Sequence, residues 1–90
     1  MALIELVGRR WVLRMIWELR GDPLTFRALQ SACDGLSPSV LSARLGELRE
    51  VGIVEVHEDG YALTGLGFEL IEALAPLQRW SAKWAKALDR

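Results

Sequence analysis

The sequence predicts a mostly α-helical domain with one small β-hairpin and a long C-terminal helix, on three observations. Apolar residues recur at spacings of three and four along most of the chain. A tight helix-turn-helix pattern occupies residues 25–51, with Ser37-Pro38 opening its second helix. A β-branched run followed by Asp59-Gly60 interrupts the helical pattern once. Ninety residues accommodate one hydrophobic core, so 1–90 is expected to be a single domain.

Residues 3–20 have helical periodicity. Leu3, Val7, Trp11 and Met15 trace one stripe, and Leu6, Leu13, Ile16 and Leu19 widen it. A helix apolar on most sides is central in a core or shared with a second subunit. Gly21-Asp22-Pro23 stops it, because a proline disfavours helix at the residue before it. Thr25 then caps a short helix of about 26–33, with Phe26 and Leu29 inward. Asp34-Gly35 breaks that helix. Ser37 caps the next one, and Leu41, Leu45 and Leu48 form its buried face at i, i+4 and i+7. Gly52 ends it as a left-handed cap. Ile53, Val54 and Val56 favour a strand, Asp59-Gly60 a two-residue turn, and Tyr61 to Leu63 the returning strand. Thr64 caps a final helix of about 65–88, with Leu70, Leu74, Leu77 and Trp84 near one face. At 1.5 Å per residue it is roughly 35 Å long, more than so small a domain covers. Pro76 inside it is expected to bend it or remove one hydrogen bond. Three helices, a hairpin and a tight helix-turn-helix make a winged helix. Helices 3–20 and 65–88 carry more apolar surface than one copy hides, so a homodimer built from both is expected.

Composition narrows the function. Lys and Arg number 11 against 12 Asp and Glu, for a net charge of −1. That balance does not by itself advertise nucleic acid. One cysteine excludes an intrachain disulfide framework, and one histidine with it cannot build a four-ligand zinc site. No metal or cofactor is expected. No apolar run approaches the roughly 18 residues of a membrane span. Arg9 and Arg10 follow the first apolar residues, the wrong order for a signal peptide. A cytoplasmic location follows. No nucleophile has a histidine at a recognisable spacing, and there is no glycine-rich phosphate loop, so an enzyme is not expected.

The spaced residues resemble the HxlR-type transcriptional regulators, a winged-helix family related to the MarR type. Gly8-Arg9-Arg10-Trp11 stands where that family has Gly-Gly-Lys-Trp. Gly21 and Thr25-Phe26 precede its second helix. Gly35-Leu36-Ser37, Leu41-Ser42 and Arg44-Leu45 match its recognition segment, and Gly52-Ile53-Val54 the step into the wing. Tyr61-Ala62-Leu63-Thr64, Gly67, Leu70, Leu74, Leu77 and Trp80 match the end. Each motif alone is weak; their joint order over residues 3–84 is fairly specific. The resemblance implies a dimeric DNA-binding repressor or activator and leaves room for a small-molecule effector. This chain departs from the family in its wing. Glu55-Val56-His57-Glu58-Asp59-Gly60 is short and acidic where the family's wing is usually longer and carries arginine.

In a helix-turn-helix the second helix enters the major groove with its N-terminal residues at the base edges. With Leu41, Leu45 and Leu48 inward, the outward arc of residues 37–51 includes Ser39, Ser42, Ala43 and Gly46. Small side chains permit close approach, and serines bond phosphate or either base type. The free N–H groups at Ser37 and Ser39, on either side of Pro38 at the first helical position, suit a phosphate, and Ser37 also caps the helix. Arg44 either meets phosphate or pairs with a carboxylate on its own helix. Arg27 and Arg49 complete the expected DNA contacts. Residues 36–63 hold these two cations, Arg44 and Arg49, against Glu47, Glu50, Glu55, Glu58 and Asp59, a net of −3. So cation-poor a segment predicts weak general DNA affinity. It also keeps open an alternative: a winged-helix protein-interaction module that has lost DNA binding. The expected dimer seam is Leu3, Val7, Trp11, Leu74, Leu77, Trp80 and Trp84. Trp17 joins these as core or seam, His57 as a surface strand residue and Cys33 as a small buried hydrophobe.

Overall fold

The helix-turn-helix and the hairpin are built from local signals, and the computed structural model describes them within residues 11–89. The order is α1 (Val12–Glu18), α2 (Phe26–Ala32), α3 (Pro38–Glu50), β1 (Val54–His57), β2 (Gly60–Leu63) and α4 (Gly65–Leu88). Three of the four described helices start on a hydroxyl cap. Thr25 Oγ1 accepts from Ala28 N at 3.1 Å, Ser37 Oγ from Val40 N at 3.3 Å, and Thr64 Oγ1 from Gly67 N at 3.1 Å. Each bond satisfies a helix N–H that has no partner within its own helix.

Helix ends follow the same accounting. At the end of α3, Gly52 has φ 78°, Gly52 N donates to Arg49 O and Ile53 N to Leu48 O, a Schellman motif. The end of α2 repeats it with Asp34 at φ 58° in the left-handed position, Asp34 N bonded to Ser31 O and Gly35 N to Gln30 O.

Two sequence expectations change. Residues 3–20 are not one continuous helix, because Trp11 sits in the left-handed region at φ 78° and α1 begins after it. Apolar spacing is blind to such a break, since apolar residues lie on both sides. The part of that segment before residue 11, including Leu3 and Val7, lies outside the described residues. Downstream, α1 stops at Glu18, ahead of Pro23: the Arg20 guanidinium donates to Trp17 O at 2.8 Å and lies over the Trp17 ring at 3.9 Å. The hairpin turn also shifts by one residue. His57 pairs with Gly60, so Glu58-Asp59 form the loop and Gly60 belongs to β2.

The core gathers Val12, Met15, Ile16 and Leu19 from α1, Leu29 and Cys33 from α2, and Leu41, Leu45 and Leu48 from α3; Ile53, Val54 and Leu63 close it from the wing. A third chain segment joins the hairpin. Leu24 and Tyr61 exchange both backbone bonds, at 2.9 and 2.7 Å, so the stretch before α2 lies along β2. The Phe26 and Tyr61 rings meet there, 6.5 Å apart and tilted, fixing α2 against the wing. Gly60, at φ 127°, sits where a Cβ would strike the Leu24 carbonyl.

The helix α4 runs through Pro76 without interruption. Its first half packs on the body through Leu70, Ile71 and Leu74, whereas residues 76–89 are all exposed. No helix among the described residues is long and apolar enough to cross a membrane.

Candidate nucleic-acid interface

The geometry between α2 and α3 is locked by side chains as well as by packing. Five residues, Cys33 to Ser37, connect the two helices. Gln30 Nε2 donates to Leu36 O at 2.9 Å and braces this turn from inside. Leu36 itself is buried. On the other side Arg14 ties α1 to the same turn. Its guanidinium donates to Ala32 O at 2.7 Å, pairs with Glu18 at 2.9 Å and lies 3.5 Å from Asp34. A cation at a helix C-terminus is favourable, because the last carbonyls are otherwise unmatched. The Glu18 hydrogen bond holds the Arg14 pKa above its already high ordinary value. Neither Arg14 nor Gln30 stands out in the sequence. Their spacing to the groups they bond, Ala32 and Leu36, matches no local motif.

With the turn fixed, α3 presents an exposed face. Ser37, Pro38, Ser39, Val40, Ser42, Ala43 and Gly46 are exposed there, while Leu41, Leu45 and Leu48 are buried. Ser37 Oγ and Ser39 Oγ lie 3.4 Å apart. Nothing lies within 4 Å of the place a Cβ would take on Gly46, so the middle of this face is open to close approach. Val40, absent from the outward arc read from sequence, is 36% exposed. It belongs to the flank of that arc, where periodicity alone gives an ambiguous answer.

The cations are spread. Arg44 Nη1 meets Glu47 Oε1 at 2.6 Å, an i,i+3 pair on α3. Of the two sequence readings of Arg44, the ion pair is therefore present. Arg27 on α2 and Arg49 near the end of α3 are both exposed. The wing tip carries exposed Glu55, Glu58 and Asp59, and His57 Nε2 lies 2.8 Å from Glu55 Oε2.

A separate apolar region lies where α1 meets α4. Leu13, Trp17, Ile71, Leu74, Leu77 and Gln78 line a crevice of about 70 Å³. Beyond it Trp80 and Trp84 stack at 5.8 Å with their planes 7° apart, and remain 57% and 52% exposed. None of the four tryptophans is fully buried: Trp11 and Trp17 are half-buried, Trp80 and Trp84 exposed. Among the described residues no group of His, Cys, Asp and Glu is placed to hold a metal ion.

Comparison with known proteins gives this arrangement a context. The profile of the HxlR-like helix-turn-helix family matches residues 6–89. YvaP of Bacillus subtilis, an uncharacterized HTH-type transcriptional regulator, is 30% identical, with 90% of this chain and 82% of that protein covered. The quinone-bound structure of YodB from B. subtilis superposes with a TM-score of 0.84 at 29% identity, covering 91% of this chain and 93% of that one. A possible HxlR family transcriptional factor from Thermoplasma volcanium gives a TM-score of 0.85 at 25% identity, covering 96% and 84%.

Proposed function

Because this chain belongs to the HxlR-like helix-turn-helix family of transcriptional regulators, we propose that it is a homodimeric, sequence-specific regulator that lays α3 in the major groove of DNA. The observation that carries the reading is the braced turn. Gln30, Arg14 and the Schellman-type end of α2 hold α2 and α3 at a fixed angle, and what they hold out is a face of small, exposed side chains. A surface of Ser39, Ser42, Ala43 and Gly46 has no evident value to packing, since all four are exposed. In this reading the N–H groups of Ser37 and Ser39 and the side chains of Arg27 and Arg49 take phosphates. Arg44 joins them by exchanging Glu47 for phosphate.

The proposed dimer uses the apolar surface of α1 and α4. Leu74 lines the crevice; Leu77, Trp80, Trp84 and Leu88 are exposed on a helix that outruns its own domain. Indole rings stacked in water bury one face each and leave the rest wet, which favours cover by a second copy. Leu3 and Val7 extend the same seam in the proposal. Light scattering at micromolar concentration is expected to give about twice the 10.1 kDa chain mass. A folded monomer at those concentrations removes the dimer.

A quinone-bound relative supports a small-molecule effector for this chain as well. The crevice of one copy, about 70 Å³, is smaller than the roughly 150 Å³ that admits benzene. In this crevice an aromatic effector therefore fits only where a second copy enlarges the space. The test of the whole reading is a gel-shift titration with DNA from upstream of the chain's own gene, at low and at physiological salt. Retention that weakens with salt and survives competitor DNA is the expected result. No retention at low salt overturns it.

A further inference from the structure

The side chains available on α3 restrict which base feature they can read. Discriminating readout in the major groove uses four kinds of contact: guanidinium or ammonium to guanine, a side-chain amide to adenine, a carboxylate to the cytosine amino group, and an apolar group to the thymine methyl. The carboxylates of α3 are Glu47, paired with Arg44, and Glu50, its last residue, so neither belongs to the first two turns. The chain contains no asparagine and two glutamines, Gln30 and Gln78. Gln30 is committed to the Leu36 carbonyl, and Gln78 lines the crevice between α1 and α4. Amide recognition of adenine by α3 is thus excluded. Of the cations on α3, Arg44 is assigned to a phosphate in the reading above, and Arg49 lies at the C-terminal end, away from the turn that would lead into a groove. The N-terminal two turns offer hydroxyls and methyls. Serine hydroxyls bond either kind of base and so discriminate little. Discrimination is left to the exposed apolar groups, Val40 and Ala43, which stand at i and i+3 on one side of the helix.

Resting on the DNA-binding reading above, we propose that Val40 and Ala43 are the specificity-determining residues of α3 and that they read the 5-methyl groups of thymine. Val40 keeps 36% of its surface exposed in the first turn of α3, and that exposed part of the isopropyl group gains no contact from its own domain. Against thymine methyls it gains apolar contact and rejects a cytosine, which presents an N–H donor to it. Gly46 two turns further on lets the backbone come close enough for these short side chains to reach. The operator is accordingly A·T-rich where the first turn of α3 meets it.

Duplexes selected by the full-length protein from a randomised pool provide the probe. Each thymine in the selected half-site is then replaced by deoxyuridine, which removes the methyl and leaves pairing intact. Loss of about fourfold in affinity is expected at one or two positions, the worth of one buried methylene-sized group. In Val40→Ala the same replacement is expected to have no effect at the position Val40 reads, while binding elsewhere in the site is kept. Selected sites with G·C at the centre of each half-site, or sites indifferent to deoxyuridine, overturn the methyl readout and leave DNA binding standing. A pool that yields no bound duplex overturns both.

Discussion

Cys33 shows how a single side chain is set by its surroundings. It closes α2 and is fully buried, next to the Arg14 network. Burial pushes its thiol pKa up, and Arg14 pulls only partly against that. The neutral thiol is a weak nucleophile. Ellman's reagent is expected to leave Cys33 unmodified at neutral pH until the protein is unfolded. The raised value also has a stability consequence. Between the unfolded thiol pKa and the higher folded one the native state holds more protons, so stability falls as pH rises. Its contribution is fully present below about pH 8.5 and is lost above it. Thermal melts from pH 8 to pH 11 are expected to decline less steeply in Cys33→Ala. That Cys33 is a buried hydrophobe was legible in the sequence, because a cysteine at the end of an amphipathic helix usually packs inward. Arg44 was legible only as two alternatives, since an i,i+3 glutamate and a groove-facing position coexist in the same three residues. For an exchange of Glu47 for phosphate, Arg44→Ala is expected to lower the salt slope of DNA binding by about one, with a small change in melting temperature. An unchanged slope assigns Arg44 to the ion pair alone.

At the scale of elements, the hydroxyl caps and the stops at Asp34-Gly35 and Gly52 were legible, and the break at Trp11 was not. Thr25, Ser37 and Thr64 each precede a helix by one residue, and hydroxyl caps work through bonds three residues away that sequence displays directly. The left-handed Trp11 and the pairing of Leu24 with Tyr61 depend on tertiary contact, so no local pattern announces them. The hairpin turn was misplaced by one residue because Asp-Gly usually occupies the loop. Here Glu58-Asp59 take the loop and Gly60 is needed in β2, against the Leu24 backbone. Two glycines of helices test this reading in opposite directions. Gly46 is surrounded by open space, so Gly46→Ala is expected to stabilise the fold by about 1 kcal/mol through helix propensity. Gly67 is buried in the first turn of α4, where a Cβ would lie 2.5 Å from Ile53 O and 3.0 Å from Leu63 Cβ. Gly67→Ala is expected to destabilise by about 1–3 kcal/mol, the usual cost of overpacking. Chemical denaturation of both variants measures the contrast. A stabilised Gly67→Ala would mean that α4 does not pack on the wing as described.

For the whole molecule the charge distribution decides how DNA is held. Residues 36–63, which contain α3 and the wing, carry −3, and the flanking segments carry +1 each. The sequence displayed this imbalance fully, yet it left open whether the acids face DNA, because that depends on where the wing tip lies relative to α3. Glu55, Glu58 and Asp59 are all exposed on a hairpin whose β1 packs beside α3. If α3 lies in the major groove and brings the tip close to the DNA backbone, each acid costs about 0.5–1 kcal/mol in solvent-exposed geometry. Salt screens that cost beyond roughly 8–10 Å. The wing then weakens binding, and α3 with its flanking cations supplies the affinity. Glu58→Lys together with Asp59→Lys removes two repulsions and adds two attractions without touching α3. This double variant is expected to bind duplex DNA about tenfold tighter near 50 mM salt, with a steeper salt slope. Its preference among sequences should stay unchanged, because phosphate contacts position a protein without reading bases. If the wing instead captures a basic protein, the two substitutions abolish that capture, and the parent chain shows no salt-sensitive affinity for DNA. Titrating parent and variant against one duplex at two salt concentrations separates these outcomes: gain at low salt supports groove binding led by α3, and no binding by either chain removes it.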